Sequence, residues 1–137
     1  MQGGFRTAHL VVGGVAVLAF LVTGLVMYGH EPALSTMDWG DRLLFRSRHI
    51  YLLCAGLVSL AMGVHHRLPE RGLRRGAAVA GSLLALASAP LLFFAFFAEP
   101  MADRSAGPLS AFGLYALFGG VMLHTVASLR RRERRAA

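Results

Sequence analysis

The chain has 137 residues, 55% of them hydrophobic, and a formal net charge of +7 in which every one of the fourteen basic residues is arginine. That length suits one domain, residues 1–137, and long uncharged runs place the chain among membrane proteins, not soluble globules. The arginines are spread over several segments without interleaved aromatics, which argues against nucleic-acid binding.

Four apolar stretches follow one another at residues 7–29, 49–66, 76–98 and 107–129. At about 1.5 Å per helical residue each reaches roughly 27–35 Å, enough for a hydrocarbon core of about 30 Å. Only helices and closed barrels satisfy their backbone in lipid, and four spans are too few for a barrel. The expected fold class is therefore all-α integral membrane: four transmembrane helices in an up-down bundle.

The first span ends in His30-Glu31-Pro32. Its apolar run is too long for a signal-peptide core, and no small-x-small site follows Tyr28, so it is expected to remain as a helix. The gap after it is the one sizeable piece outside the spans. There Trp39, Leu43, Leu44 and Phe45 mix with Asp38, Asp41 and Arg42, which suits a short helix lying at the interface, with Trp39 in the aromatic belt. Arg46, Arg48 and His49 then open the second span, where the two arginines are expected to snorkel toward a headgroup or an acidic partner.

The second span holds the single cysteine, Cys54, which has no intrachain partner and reads as a small apolar residue. The third ends in Ala98-Glu99-Pro100, the same Glu-Pro stop as the first. It is interrupted by Pro90, which reads as a packing kink or, more sharply, a hinge. Phe93, Phe94, Phe96 and Phe97 cluster at its end and are expected to face lipid or a partner. Endings of the second and fourth spans are also alike, Ala61-Met62-Gly63-Val64-His65 against Gly120-Val121-Met122-Leu123-His124, so the chain reads as two related helical hairpins. Small residues recur every four positions: Ala55, Ser59 and Gly63; Ala77, Gly81, Ala85 and Ala89; Ala116, Gly120, His124 and Ser128. Helices in lipid associate by close packing, and such stripes admit a neighbour's backbone.

Charge orients the bundle. Arg6, Arg67, Arg71, Arg74, Arg75, Arg130, Arg131, Arg132, Arg134 and Arg135 flank one side, ten in all, against Arg42, Arg46, Arg48 and Arg104 on the other. The positive-inside rule puts both termini in the cytoplasm. Absence of lysine and asparagine, with one isoleucine, Ile50, indicates a G+C-rich and hence bacterial genome, and so a multi-pass protein of the bacterial inner membrane.

Chemistry has few footholds. There is no Gly-rich phosphate loop, no His-Glu-x-x-His pair, no Cys-x-x-Cys and no nucleophile-base-acid order. The histidines are the one lead. His9 and His124 lie roughly 5 and 9 Å inside the flanking arginines by helical rise. Each has a glycine one turn deeper on the same face, Gly13 and Gly120, which reads as room for a flat ring between two axial imidazoles of a haem b, with His65 or His66 as alternate ligands. In general form this is similar to small membrane cytochromes b, although no family motif covers the chain. Met27 and His30 are three apart on one helix face, and His49, Met37, Met101, Glu31 and Glu99 are expected at the same outer rim, which makes a weaker candidate copper set. No acidic residue sits mid-span to mark an ion path, which disfavours a small transporter or channel. The leading expectation is an accessory, assembly or interaction subunit without catalysis of its own, embedded in the lipid bilayer beside other membrane subunits or further copies of itself. The alternative is a bis-histidine electron-transfer cytochrome.

Overall fold

The computed structural model describes residues 2–29, 33–65, 67–69, 72–99 and 107–136, with residues 2 and 129–136 as backbone only. Four helices follow in order: α1 (Gln2–Tyr28), α2 (Trp39–His65), α3 (Leu73–Ala98) and α4 (Pro108–Ala136), with a 3-10 turn at Leu34–Thr36 before α2. Each is long and apolar enough to cross a bilayer, and the described residues contain no strand. The protein is a multi-pass four-helix membrane bundle.

Consecutive helices pair most extensively, α1 along α2 and α3 along α4, and α2–α3 and α1–α3 contacts join the two hairpins. The pairing follows from the small residues. In the first hairpin, a Cβ on Gly13 would lie 2.8 Å from the backbone nitrogen of Leu60, and one on Gly63 would lie 3.0 Å from the nitrogen of Leu10. In the second, Gly81 and Gly120 face each other so closely that added Cβ atoms would stand 2.6 and 2.7 Å from the opposite glycine's carbonyl oxygen. Of the expected stripes, Ala55, Ser59 and Gly63, Gly81, Ala85 and Ala89, and Gly120 and His124 are buried, and Ala77, Ala116 and Ser128 are half-buried. Between the hairpins, Leu52, Leu92 and Leu117 fill the centre with Ala16, Ala55 and Ala89.

At the arginine-rich end the chain turns from α2 to α3 through Gly72. Its φ of +82° lies in the left-handed region open to glycine, and its carbonyl accepts from Arg75 N–H. Leu68 in this turn plugs against Ala78 of α3 and Ala127 of α4, a second small core. At the opposite end Arg42 fastens the α1–α2 connection, donating from Nη2 to the carbonyls of Ser35 and Met37 at 3.1 and 2.9 Å. Pro108 starts α4 at the first helical position, where its missing N–H is not needed.

Three expectations change. Residues 39–48 are not a separate interfacial helix; they are the first turns of α2, which runs without a break for 27 residues. The charges that break the apolar pattern there do not break the helix, because α2 at about 1.5 Å per residue exceeds the hydrocarbon thickness and its start extends past it. Similarly α1 begins at Gln2, α3 at Leu73, and α4 continues to Ala136, each beyond its apolar run. Lastly, the phenylalanine cluster divides: Phe94 and Phe97 face outward, whereas Phe96 is buried against Phe45 of α2, ring centroids 5.0 Å apart. Helix α3 passes through Pro90, which sits on its exposed side.

Candidate functional site

Polar side chains within the bundle gather at three places. The first lies at the end away from the arginine-rich rim. Arg48 of α2 and Glu99 at the end of α3 are both buried and form an ion pair, Arg48 Nε to Glu99 Oε2 at 3.3 Å. Arg48 Nη1 also donates to the Glu99 carbonyl at 3.0 Å, satisfying one of the carbonyls that a helix C-terminus leaves without a partner. Its positive charge favours that end of the helix dipole. The Glu99 carboxylate in turn accepts from Ser110 N–H at 3.0 Å and from the Ser110 hydroxyl, so it caps the first turn of α4 where an anion is favoured. One pair of side chains thus closes the C-terminus of α3 and the N-terminus of α4 and holds both to α2. Gly107 lies flat on the Glu99 carboxyl group, where a Cβ would overlap it.

This corrects the reading of Arg48. It does not snorkel to a headgroup; at 3% exposure it is buried inside the bundle. Arg46 and Trp39 do face outward at this rim, and with Arg42 and Leu43 they edge a shallow pocket.

The second place joins α1 to α2. His49 stacks on Phe20, ring centroids 4.0 Å apart, and its Nδ1 is 2.9 Å from the Thr23 hydroxyl. That hydroxyl donates its one proton to the Phe20 carbonyl at 3.0 Å, so it accepts from His49 and fixes the proton on Nδ1. Gly24 leaves room for the ring, since a Cβ there would come within 3.3 Å of His49 Cε1. Of the candidate copper set, His49 is engaged with α1 and Glu99 with Arg48, and His30, Glu31 and Met101 lie outside the described residues. Met27 is half-buried on α1. Among the described residues no three His, Cys, Asp or Glu side chains converge as metal ligands.

The third place lies toward the arginine-rich end. His124 of α4 is buried, its Nδ1 3.1 Å from the Ala78 carbonyl and 3.0 Å from the Ser82 hydroxyl, both on α3. A carbonyl only accepts, so Nδ1 carries a proton. His9 of α1 is fully buried. The two glycines that read as room for a porphyrin are otherwise employed. Gly13 receives Leu60 and Gly56 of α2, and Gly120 receives Gly81 and Ala85 of α3. That removes the space argument for a haem held between His9 and His124.

The structure instead brings His124 and His65 to one cavity of about 570 Å³ between α2 and α4, with Arg67 at its rim. His66 lies outside the described residues. Thr23, Ser82 and Ser110, which hold the three polar places together, were not singled out in the sequence. Their signal is a lone hydroxyl within an apolar run, which serine and threonine also give when they merely bond their own helix, as Ser88 does with Ala85. Compared with known protein families, curated proteins and solved structures, the chain matches none.

Proposed function

We propose that this chain is a small bacterial inner-membrane protein with both termini in the cytoplasm, acting as an accessory, assembly or interaction subunit without catalysis of its own. The observation that carries this reading is the outer face of α1. Val11, Val15, Leu18, Val22 and Leu25 are 54–72% exposed and follow one another at alternating intervals of four and three residues. That is the spacing at which a second helix packs knobs into holes. Helix α1 is also the least covered of the four, with 17% of its apolar window buried against 44% in α3. The polar side chains inside the spans fasten helix to helix, which supports a scaffold over a reaction centre.

The partner on this seam is another transmembrane helix, from a second subunit or a second copy. In a Cys54→Ala background, Leu18→Cys should form a thiol crosslink to a neighbouring chain in native membranes, whereas Leu84→Cys, exposed on α3, should not. Equal crosslinking at both positions, or none at either, would mean that the α1 face looks at lipid.

Orientation is tested separately. Ser35→Cys, Gly72→Cys and Ala136→Cys, each in the Cys54→Ala background, should react with an impermeant maleimide in intact cells only at residue 35, as ten arginines against four require. Labelling at 136 and not at 35 would invert the topology.

A further inference from the structure

We infer that the cavity between α2 and α4 is a binding site for one anionic glycerophospholipid taken sideways from the leaflet at the arginine-rich rim. The inference depends on the four helices lying in a membrane and not on the accessory role. Three features of the cavity carry it.

Its volume, about 570 Å³, falls within the range of small-molecule sites, and it opens where α2 and α4 touch only sparsely. Its chemistry is graded along the helix axes. Val58 and Ala61 of α2 and Val121 of α4 line the deeper part, and His65, Arg67, Thr125 and Ser128 the part nearer the rim. Seven residues separate Val58 from His65, and seven separate Val121 from Ser128, so the change from apolar to polar takes about 10 Å along each helix. A lipid head at the rim with its chain running toward the midplane meets the same gradient. The polar end is also built, not incidental. Ser128 donates to the Arg67 carbonyl at 3.1 Å, and Leu68, next in sequence, is buried against Ala78 and Ala127. These two contacts hold the Arg67 backbone at the mouth. His124 is held by Ala78 and Ser82 at the back.

The charge selects the head. Arg67 is a permanent cation, and Thr125 and the imidazole of His65 add polar contacts beside it, which together suit a phosphodiester. Among the described lining residues none is acidic, so none of them offers the ammonium of a zwitterionic head a counter-charge. The apolar floor gains from a chain and nothing from a bare anion, so a free phosphate meets half of the site.

Native mass spectrometry of delipidated protein in mild detergent tests this directly. Dioleoylphosphatidylglycerol should give a one-to-one adduct at least tenfold more readily than dioleoylphosphatidylcholine, and millimolar inorganic phosphate should not displace it. Arg67→Gln should weaken the adduct about tenfold, and Ala61→Phe, which fills the cleft from an exposed helix position, should do the same. Arg46→Gln at the other rim should leave it unchanged. Circular dichroism checks that each variant retains its helices; if one does not, the other decides. Equal binding of the two lipids, an adduct indifferent to both cleft variants, or displacement by phosphate would overturn the inference. So would a bound species absorbing in the Soret region, which would assign the cleft to haem through His65 and His124. Crosslinking of Leu18→Cys in the Cys54→Ala background should be the same with and without Arg67→Gln, so failure of one proposal is distinguishable from failure of the other.

Discussion

Removing one half of the Arg48–Glu99 pair is expected to cost about 3–5 kcal/mol, the range for stranding one partner of a buried ion pair. Both groups are almost wholly buried, and each serves twice: Arg48 on the carboxylate and the α3 carbonyl, Glu99 on the guanidinium and the α4 amide. Arg48→Ala leaves a buried carboxylate with Ser110 alone. Glu99→Ala leaves a buried cation and uncaps α4. Arg48→Lys should also be harmful, because one ammonium does not reproduce a planar fork that reaches a side chain and a main-chain oxygen at once. The double variant Arg48→Met with Glu99→Leu should lose clearly less than the sum of the single losses, since it strands no charge. Denaturant unfolding in micelles measures all four. Single losses below about 0.5 kcal/mol would show that the pair behaves like an exposed one.

The second large effect is expected at the α3–α4 crossing. Gly81 and Gly120 meet backbone to backbone, so a side chain on either cannot be absorbed by a rotamer change in its neighbour and must separate the helices. Gly120→Leu and Gly81→Leu should destabilise at or beyond the upper end of the ~1–3 kcal/mol typical of overpacking. The neighbouring Gly119, with nothing near its Cβ position, supplies the contrast: Gly119→Leu should be tolerated, as should Leu84→Ala on the exposed side of α3. If Gly119→Leu and Gly120→Leu destabilise alike, the close crossing at Gly120 would not be the reason, and helix propensity, which favours leucine over glycine, would not be either.

Much of the fold was legible in the sequence because membrane solvation imposes it. Run length sets the spans, and the four-residue recurrence of Gly, Ala and Ser marks the contact faces; Gly81, Ala85 and Gly120 read correctly on that ground alone. Helix boundaries were less legible, since apolar runs report where lipid begins, while helix ends depend on capping and on turns such as Gly72. The buried ion pair was out of reach. Arg48 and Glu99 are 51 residues apart, and an arginine near the end of an apolar run has the same local pattern whether it points to headgroups or to a carboxylate inside the bundle. The histidines show the same ambiguity. A glycine one turn from an imidazole signals a close neighbour in either case, and whether that neighbour is a cofactor or a helix backbone depends on which helices meet. His65 and His124 share a cavity because α2 and α4 touch only sparsely, a property of helix arrangement that no local spacing records.

The Arg48–Glu99–Ser110 junction also bears on how the chain is made. Its three participants belong to successive helices, so during synthesis α2 inserts before its counter-charge exists. Until α3 emerges Arg48 has water or lipid phosphate as its company, and a bundle lacking the second hairpin keeps a cation on an otherwise apolar wall. Arrival of α4 completes the junction through Ser110, leaving neither charge on display. Assembly therefore has a chemical end point: an incomplete chain exposes a charge near the start of α2, and the finished bundle buries it.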